Sequence, residues 1–139
     1  MLEVGQVLSL RIRFNNNGLL SRGRHPYLIL SVSDEVIEIA QLDSLEGKEH
    51  KAAFNSNKVI YCDEPIETVI DKDSYVQLDN KITLENFDSL TVYRRQEDKL
   101  SSGKLHDVLA KYQEYHANHH IDELKIVYMD KDEILSLNP

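Results

Sequence analysis

The order of apolar patterns along the chain limits its fold more than any other feature of the sequence. Val7–Phe14 alternates between apolar and polar residues, the pattern of a strand with one buried face. Tyr27–Val32 is a short apolar run, typical of a strand covered on both faces, and Val36–Leu42 alternates again. Short strands are predicted at 58–61 and 66–70, a longer strand at 74–84 and a last one at 90–94. No helical pattern interrupts this series.

The strongest helical pattern comes late in the chain. Its apolar residues recur at the i, i+3, i+4 and i+7 spacing of one helix face, at Leu105, Val108, Leu109 and Tyr112. Ser101 or Ser102 is suited to the N-cap, because a serine hydroxyl accepts from a free amide of the first turn. The helix is predicted to end near Asn118. Short strands followed by one amphipathic helix predict a mainly β, α+β domain, built as a small barrel or an open β-roll.

Charge is distributed unevenly along the sequence. The chain has 139 residues, enough for one domain, and its net charge of −8 argues against general nucleic-acid binding. Residues 1–33 nevertheless carry four arginines and a single acidic residue, Glu3, so their net charge is +3 and the rest of the chain carries −11. A basic patch of this kind can bind a phosphate locally. The alternative is that the four arginines are solvated residues on strand faces.

Several classes of protein are not indicated. No apolar run approaches the roughly 18 residues of a membrane helix, and the N-terminus lacks a signal-peptide pattern, so we expect a cytoplasmic protein without a membrane partner. Cys62 is the single cysteine and is interpreted as structural. His116, His119 and His120 have the spacing of one helix face, but they lie where the helix ends and no thiol or carboxylate completes a ligand set. We therefore predict neither a metal site nor a cofactor.

The segment before Pro26 carries the residues best suited to chemistry. Arg22, Arg24 and His25 cluster there, and two nearby glycines, Gly18 and Gly23, let the backbone approach a ligand closely. A guanidinium group binds phosphate through two hydrogen bonds, and an imidazole transfers protons near neutral pH. The segment therefore favours a site for a phosphodiester, and the alternative is an exposed, charged hairpin loop.

Four segments, in order, resemble those of a known family. Val4–Leu8 is similar to its opening strand, and Gly18–Ser31 to its loop and the Arg-Pro strand that follows. Ser74–Thr83 is similar to its Ser-x-hydrophobic-x-x-Asp/Glu-Gln-Ile-Arg-Thr strand, and Gly103–Leu105 to the start of its C-terminal helix. Across about residues 4–115 the chain thus resembles the MazF/PemK toxins. The resemblance implies a small SH3-like, CcdB-like β-barrel that forms homodimers, binds a cognate antitoxin and cleaves messenger RNA without a metal.

The same resemblance assigns roles to individual residues. The catalytic arginine of the family stands directly before the proline, where this chain has His25, with Arg24 one residue earlier. The catalytic threonine of the family corresponds to Ser44, whose neighbour Asp43 would repel a phosphate unless it pairs with an arginine or acts as a base. We predict that Arg24 stabilises charge, that His25 acts as acid or base, and that Ser44 orients the phosphate.

Further residues are predicted to bind single-stranded RNA. Arg11, Arg13 and Arg22 would contact flanking phosphates, while Asn17 and Asn80 would contact bases, which are accessible on single strands. The reaction that the resemblance implies is attack of a ribose 2′-hydroxyl on the adjacent phosphodiester. It gives a 2′,3′-cyclic phosphate and a free 5′-hydroxyl.

A second function remains open at this point. The displaced arginine favours a non-catalytic binding or inhibitor protein on the same barrel, such as a CcdB-like topoisomerase poison or a nucleic-acid-binding module, whereas the basic loop favours the nuclease. In both interpretations residues 1–118 form the barrel and helix, and residues 119–139 are an extension without an assigned role. Its acidic residues, between Asp122 and Glu133, either cover the basic loop or increase solubility.

Overall fold

The computed structural model describes residues 1–139, and seven strands form its one sheet. The strands are β1 (Val7–Leu10), β2 (His25–Val32), β3 (Val36–Ser44), β4 (Asn57–Ile60), β5 (Ser74–Gln77), β6 (Lys81–Glu85) and β7 (Ile126–Met129). The helices are α1 (Glu49–Ala52), α2 (Ser102–Asn118) and α3 (Lys131–Leu137), with 3-10 helices at Asp88–Tyr93 and Glu123–Lys125. The predicted mainly β, α+β architecture with a late helix is confirmed, and the sheet is open.

β3 is the central strand of this sheet. One of its edges pairs with β2, and the other pairs with β6 through Val36–Ile39 and with β5 through Leu42–Ser44. The order β1-β2-β3-β5-β4 therefore carries a branch, formed by β6 and then by β7, which runs parallel to β6. An isolated antiparallel bridge between Leu8 and Arg94 joins the other edge of β1 to the chain that follows the first 3-10 helix. β3 thus holds the two parts of the sheet together.

The two faces of the sheet bury separate hydrophobic clusters. On the first face 15 buried residues pack together, and Val127, Met129 and Ile134 of the C-terminal segment are among them. On the second face 12 buried residues pack together, including Val108 of α2, and other apolar residues of α2 pack against them. The helical face predicted from the sequence is therefore the one that covers the sheet. No helix of the structure has both the length and the apolar character needed to span a membrane.

The strand predicted at 74–84 is two strands, so that prediction is wrong. Val76 and Leu78 belong to the second-face cluster, whereas Ile82 and Leu84 belong to the first-face cluster. In one continuous strand these four even-numbered positions would all lie on the same face. The turn between β5 and β6 changes the face, and it lets the two strands pair with different halves of β3.

The strand predicted at 90–94 is also wrong, because the chain forms a 3-10 helix there. Leu90 and Tyr93 are the buried residues of this helix. Their spacing of three matches one 3-10 turn, so a short segment can bury both side chains without a strand neighbour.

At 66–70 the structure has turns in place of the predicted strand. Ile66 is 82% exposed, whereas Glu67 is buried. The Glu67 carboxylate accepts a hydrogen bond from the Ser101 amide (2.8 Å) and lies 3.1 Å from the Lys104 ammonium. Burial opposes ionisation of Glu67, but these partners outweigh it and hold its pKa below the ordinary value. The segment therefore binds the start of α2 instead of joining the sheet.

Residues 119–139, whose acidic residues are interpreted from the sequence as a cover for the basic loop or an aid to solubility, close the first face. β7 extends the β6 edge, and α3 follows directly with Ile134 in the cluster. The Arg13 guanidinium contacts both carboxylate oxygens of Glu133 (2.7 and 3.2 Å). Asn138 exchanges two hydrogen bonds with the Arg11 backbone, accepting from its N–H (2.6 Å) and donating to its carbonyl (2.8 Å). The C-terminal segment therefore holds the chain that leaves β1.

Candidate functional site

One cleft lies where the ends of four strands meet. Antiparallel pairing places Ser9 of β1 opposite Pro26 of β2, and Ser44 of β3 opposite Ser74 of β5. All four residues line a cleft of ≈ 400 Å³, which we name the serine cleft. Its other lining residues are His25, Leu42, Asp43, Ile70, Asp71, Lys72 and Arg95. The cleft therefore has a wall rich in hydroxyl groups and charges, and apolar residues of the second-face cluster lie beneath it.

Two of the three predicted catalytic residues, His25 and Ser44, line the serine cleft. They come from the start of β2 and the end of β3, which are neighbours in the sheet. The Ser44 hydroxyl accepts a hydrogen bond from the Glu46 amide (3.3 Å), while that of Ser74 donates to the Lys72 carbonyl (2.9 Å). No hydrogen bond joins the His25 ring to any of these serines.

Asp43 is held by a network behind Ser44. Its carboxylate accepts two hydrogen bonds from the Lys48 ammonium (3.0 and 2.9 Å), one from the Tyr75 hydroxyl (3.2 Å) and one from the Ser44 amide (2.8 Å). Burial opposes ionisation of Asp43, but Lys48 and the other donors outweigh it and lower its pKa. The sequence left open whether Asp43 repels a phosphate, and the structure shows that it pairs with a cation, a lysine.

The network acts on both partners of Asp43. Hydrogen bonding to Asp43 raises the pKa of the Lys48 ammonium. Burial raises the pKa of the Tyr75 hydroxyl, and the Asp43 charge raises it further. Tyr75 is thus a neutral hydrogen-bond donor at neutral pH, and the network fixes the backbone that carries Ser44.

Two cations of the cleft, Lys72 and Arg95, are absent from the sequence-based predictions. Arg95 stands beside β1 because its amide donates to the Val7 carbonyl (2.9 Å). Lys72 lies in the loop before β5, and the residue that follows it, Asp73, holds this loop in place. The Asp73 carbonyl accepts a hydrogen bond from the Leu45 amide (3.0 Å), and its carboxylate accepts one from the Cys62 amide. The sequence contains a visible signal for Arg95, the Arg94-Arg95 pair at the end of the strand wrongly predicted at 90–94. Nothing in the sequence marks Lys72.

Arg24, the third predicted catalytic residue, does not line the cleft. Its guanidinium carbon lies 5.5 Å from the centre of the Tyr93 ring, a cation–π contact. The β1–β2 ladder ends with Leu10 opposite His25, so Arg11 and Arg24 follow just beyond the cleft. Arg11 donates to the Ser21 carbonyl (2.7 Å) and Arg22 is exposed. The roles of these arginines in binding RNA remain predictions.

The remaining predicted RNA-binding residues lie outside the cleft. The Arg13 guanidinium donates hydrogen bonds to the Glu133 carboxylate, to Asn16 Oδ1 and to the Tyr128 carbonyl. The Asn17 side chain accepts from the Leu19 amide (3.1 Å), as in a turn. Asn80 donates to the Phe14 carbonyl (3.4 Å). These three side chains have structural partners within the chain.

The histidines at the end of α2 have partners of their own. A ring nitrogen of His116, Nε2, lies 2.7 Å from the Leu78 carbonyl, and Nδ1 of His119 lies 3.0 Å from the Tyr115 carbonyl. No three His, Cys, Asp or Glu side chains in the structure are grouped closely enough to hold a metal ion.

Comparison of the chain with known proteins identifies no relative. No family model matches the chain, and no curated protein or solved structure matches it. The likeness to the MazF/PemK toxins therefore rests on the sequence motifs, and the chemistry of the serine cleft bears independently on function.

Proposed function

We propose that this protein is a MazF/PemK-like endoribonuclease that cleaves single-stranded RNA in the serine cleft without a metal ion. One observation carries the proposal: His25 and Ser44, which motif resemblance selected from separate strands, line the same cleft. Two cations and two further serine hydroxyls line it with them, as do two carboxylates, of which Asp43 is paired with Lys48. This is the set of groups that a phosphodiester requires, with a proton-transfer group, hydroxyl donors and positive charge.

The proposed reaction is an internal transfer at phosphorus. The ribose 2′-oxygen forms a bond to the adjacent phosphorus, the bond from phosphorus to the 5′-oxygen breaks, and the products are a 2′,3′-cyclic phosphate and a 5′-hydroxyl. A neutral His25 accepts the 2′ proton while water protonates the leaving 5′-oxygen, or a protonated His25 protonates that oxygen while water accepts the 2′ proton. Ser44 donates a hydrogen bond to a non-bridging oxygen, where negative charge grows in the transition state.

The proposal includes the fold and partners that the resemblance implies. An SH3-like barrel is supported by the bridge between Leu8 and Arg94, which brings the chain after the first 3-10 helix back to β1. In the proposal the protein acts in the cytoplasm as a homodimer on messenger RNA and is inhibited by a cognate antitoxin.

The test is cleavage of a long single-stranded RNA in the presence of EDTA. We expect discrete fragments that end in a 2′,3′-cyclic phosphate. His25→Ala and Ser44→Ala should each lower the rate by about 100-fold, the usual scale for losing a proton-transfer group or an oxyanion donor. His50→Ala and Ser136→Ala are matched controls at exposed positions outside the cleft. Intact RNA with folded protein, or equal cleavage by the cleft variants, contradicts the proposal.

The second candidate is a non-catalytic binding module on the same fold. Arg24 supports it, because the arginine nearest to the catalytic position of the family lies against Tyr93 and outside the cleft. A folded protein that binds RNA or a topoisomerase but leaves RNA uncut would favour this function.

A further inference from the structure

Lys72 and Arg95 are the two exposed cations that line the serine cleft. Six ion pairs form in the chain, and neither residue belongs to one of them. Asp71 lines the same cleft, yet its carboxylate lies beyond the 4.0 Å contact distance from both cations. The other acidic residue of the cleft, Asp43, is paired with Lys48. The cleft therefore presents two cations that no carboxylate of the chain neutralises by direct contact.

These two cations stand on opposite sides of the cleft. Arg95 lies beside β1, and Lys72 precedes β5, with β2 and β3 between those two strands. From the chain at Arg95 across β1, β2 and β3 to β5 there are four spacings of about 4.8 Å, on the order of 19 Å in all. Both side chains are long and flexible, so they can approach a small ligand held at the middle of the cleft. His25 and Ser44 lie at that middle position, on β2 and β3.

We propose that Lys72 and Arg95 form a clamp that binds one phosphate group of a phosphate ester from two sides. Arg95 supplies a planar fork that fits two phosphate oxygens, and Lys72 supplies a compact charge on the opposite side. A tetrahedral phosphate offers oxygens to both walls at once, whereas a carboxylate offers only two oxygens in one plane. Phosphate esters are therefore the preferred ligand class.

The clamp deepens the proposed function, and its role in catalysis rests on that function. There the bound group is the phosphodiester to be cleaved, and the two cations stabilise the charge that grows on its oxygens. Lys72 and Arg95 would then stabilise the charge on the phosphate, the role predicted for Arg24 from the sequence. Binding of a phosphate ester does not itself require cleavage, so the two proposals can fail separately.

The experiment titrates the protein with a nucleoside 3′-monophosphate and, separately, with inorganic phosphate, and follows the amide signals of Ser44 and Ser74 by NMR. Acetate is the carboxylate control. Lys72→Ala and Arg95→Ala should each weaken binding at least tenfold, and Arg95→Lys should weaken it less. Lys51→Ala, which removes an exposed charge outside the cleft, should bind as the parent does. Thermal unfolding checks that each variant is folded.

The outcomes separate the clamp from the nuclease. Loss of phosphate binding in Lys72→Ala and Arg95→Ala supports the clamp even when the parent leaves RNA uncut, a result that would overturn only the proposed function. RNA cleavage that neither substitution slows, with phosphate binding unchanged, overturns the clamp and leaves the nuclease standing. No binding of any phosphate by the parent, or equal binding of acetate, also overturns the clamp.

Discussion

The two faces of the sheet are covered in different ways. The first face is closed by β7 and α3, which contribute three members of its buried cluster, and Arg13 and Asn138 hold this cover in place. The second face is covered by one long helix, α2, and residues of its cluster also line the serine cleft, where Leu42 and Ile70 lie beneath polar groups. One face is thus sealed, while the other leaves room for a ligand.

This difference separates stability from chemistry within a small domain. On the first face the Arg13 guanidinium binds Glu133 of the cover, Asn16 and the Tyr128 carbonyl, so its hydrogen bonds are made within the chain. On the second face the cleft keeps Lys72 and Arg95 out of ion pairs, and the only firmly paired acid there, Asp43, supports the backbone of Ser44. We therefore expect variants of the first face to change stability alone, and variants of the cleft to change ligand binding with little change in stability.

The largest expected effect comes from removing the anchor of the first-face cover. Ile134 is fully buried on α3, so Ile134→Ala should lower the free energy of unfolding by about 4 kcal/mol, the scale of a buried aliphatic truncation. Urea unfolding measures this cost. Leu135→Ala, at a 38% exposed site on the same helix, is the control and should cost less than about 0.5 kcal/mol. A cost below 1 kcal/mol for Ile134→Ala would break the contrast between the faces.

A smaller effect is expected at the start of α2. Glu67→Gln keeps an acceptor for the Ser101 amide but removes the countercharge of Lys104. It should lower the free energy of unfolding by about 2 kcal/mol. This is less than the cost of breaking a fully buried ion pair, because Lys104 also donates to backbone carbonyls. Because the folded-state pKa of Glu67 is lowered, its contribution is present above the ordinary value of 4.5 and is lost as the pH falls through the lowered pKa. Hydrogen exchange at the first turns of α2 should quicken in the variant. Glu64→Gln, nearby and exposed, should leave that exchange unchanged.

The smallest effect is expected at the Asp43–Lys48 pair. Both groups are partly exposed, so Asp43→Asn should cost less than about 1 kcal/mol at pH 7. The lowered pKa of Asp43 makes the pair stabilising above about pH 4, with the contribution lost as the pH falls through that pKa. The pKa of Lys48 is raised above its ordinary value of 10.5. The contribution of Lys48 to the pair is therefore fully present below pH 10.5 and is lost as the pH rises through the raised pKa. Urea unfolding at pH 7 and pH 3 should show a smaller acid loss in the variant than in the parent, and an equal loss would contradict this account.

Sequence patterns predict the fold well where a segment keeps one set of neighbours. β2, β3, β4 and α2 lie close to their predicted positions, because alternation and helical spacing record burial on a constant face. The failures occur where a segment changes from one face of the sheet to the other, or contacts something other than a strand. Glu67 reaches the start of a helix, and the turn after β5 moves the chain from one face to the other. Whether a segment forms such a contact or changes face depends on residues that are distant in the sequence.

The candidate site follows the same division. The motifs select His25 and Ser44, which line the cleft, because each lies within two residues of a strand that the sequence predicts. Lys72 and Arg95 were missed because a loop and a backbone hydrogen bond to Val7 bring them to the cleft. Arg13 was assigned to RNA because its acidic partner, Glu133, lies far along the chain. Local sequence identifies the groups on the strands, and tertiary structure decides which cations remain available.

The contact between Arg11 and Asn138 has a consequence for synthesis of the protein. These residues are separated by 127 positions, so the ribosome makes β1 long before the segment that covers it. At about 5 to 20 residues per second, the first face waits on the order of ten seconds for Ile134 and Asn138. During that interval the apolar residues of β1 are without their cover. Copies whose translation stops before this segment would therefore be substrates for chaperones and proteases, and they would aggregate more readily than finished chains.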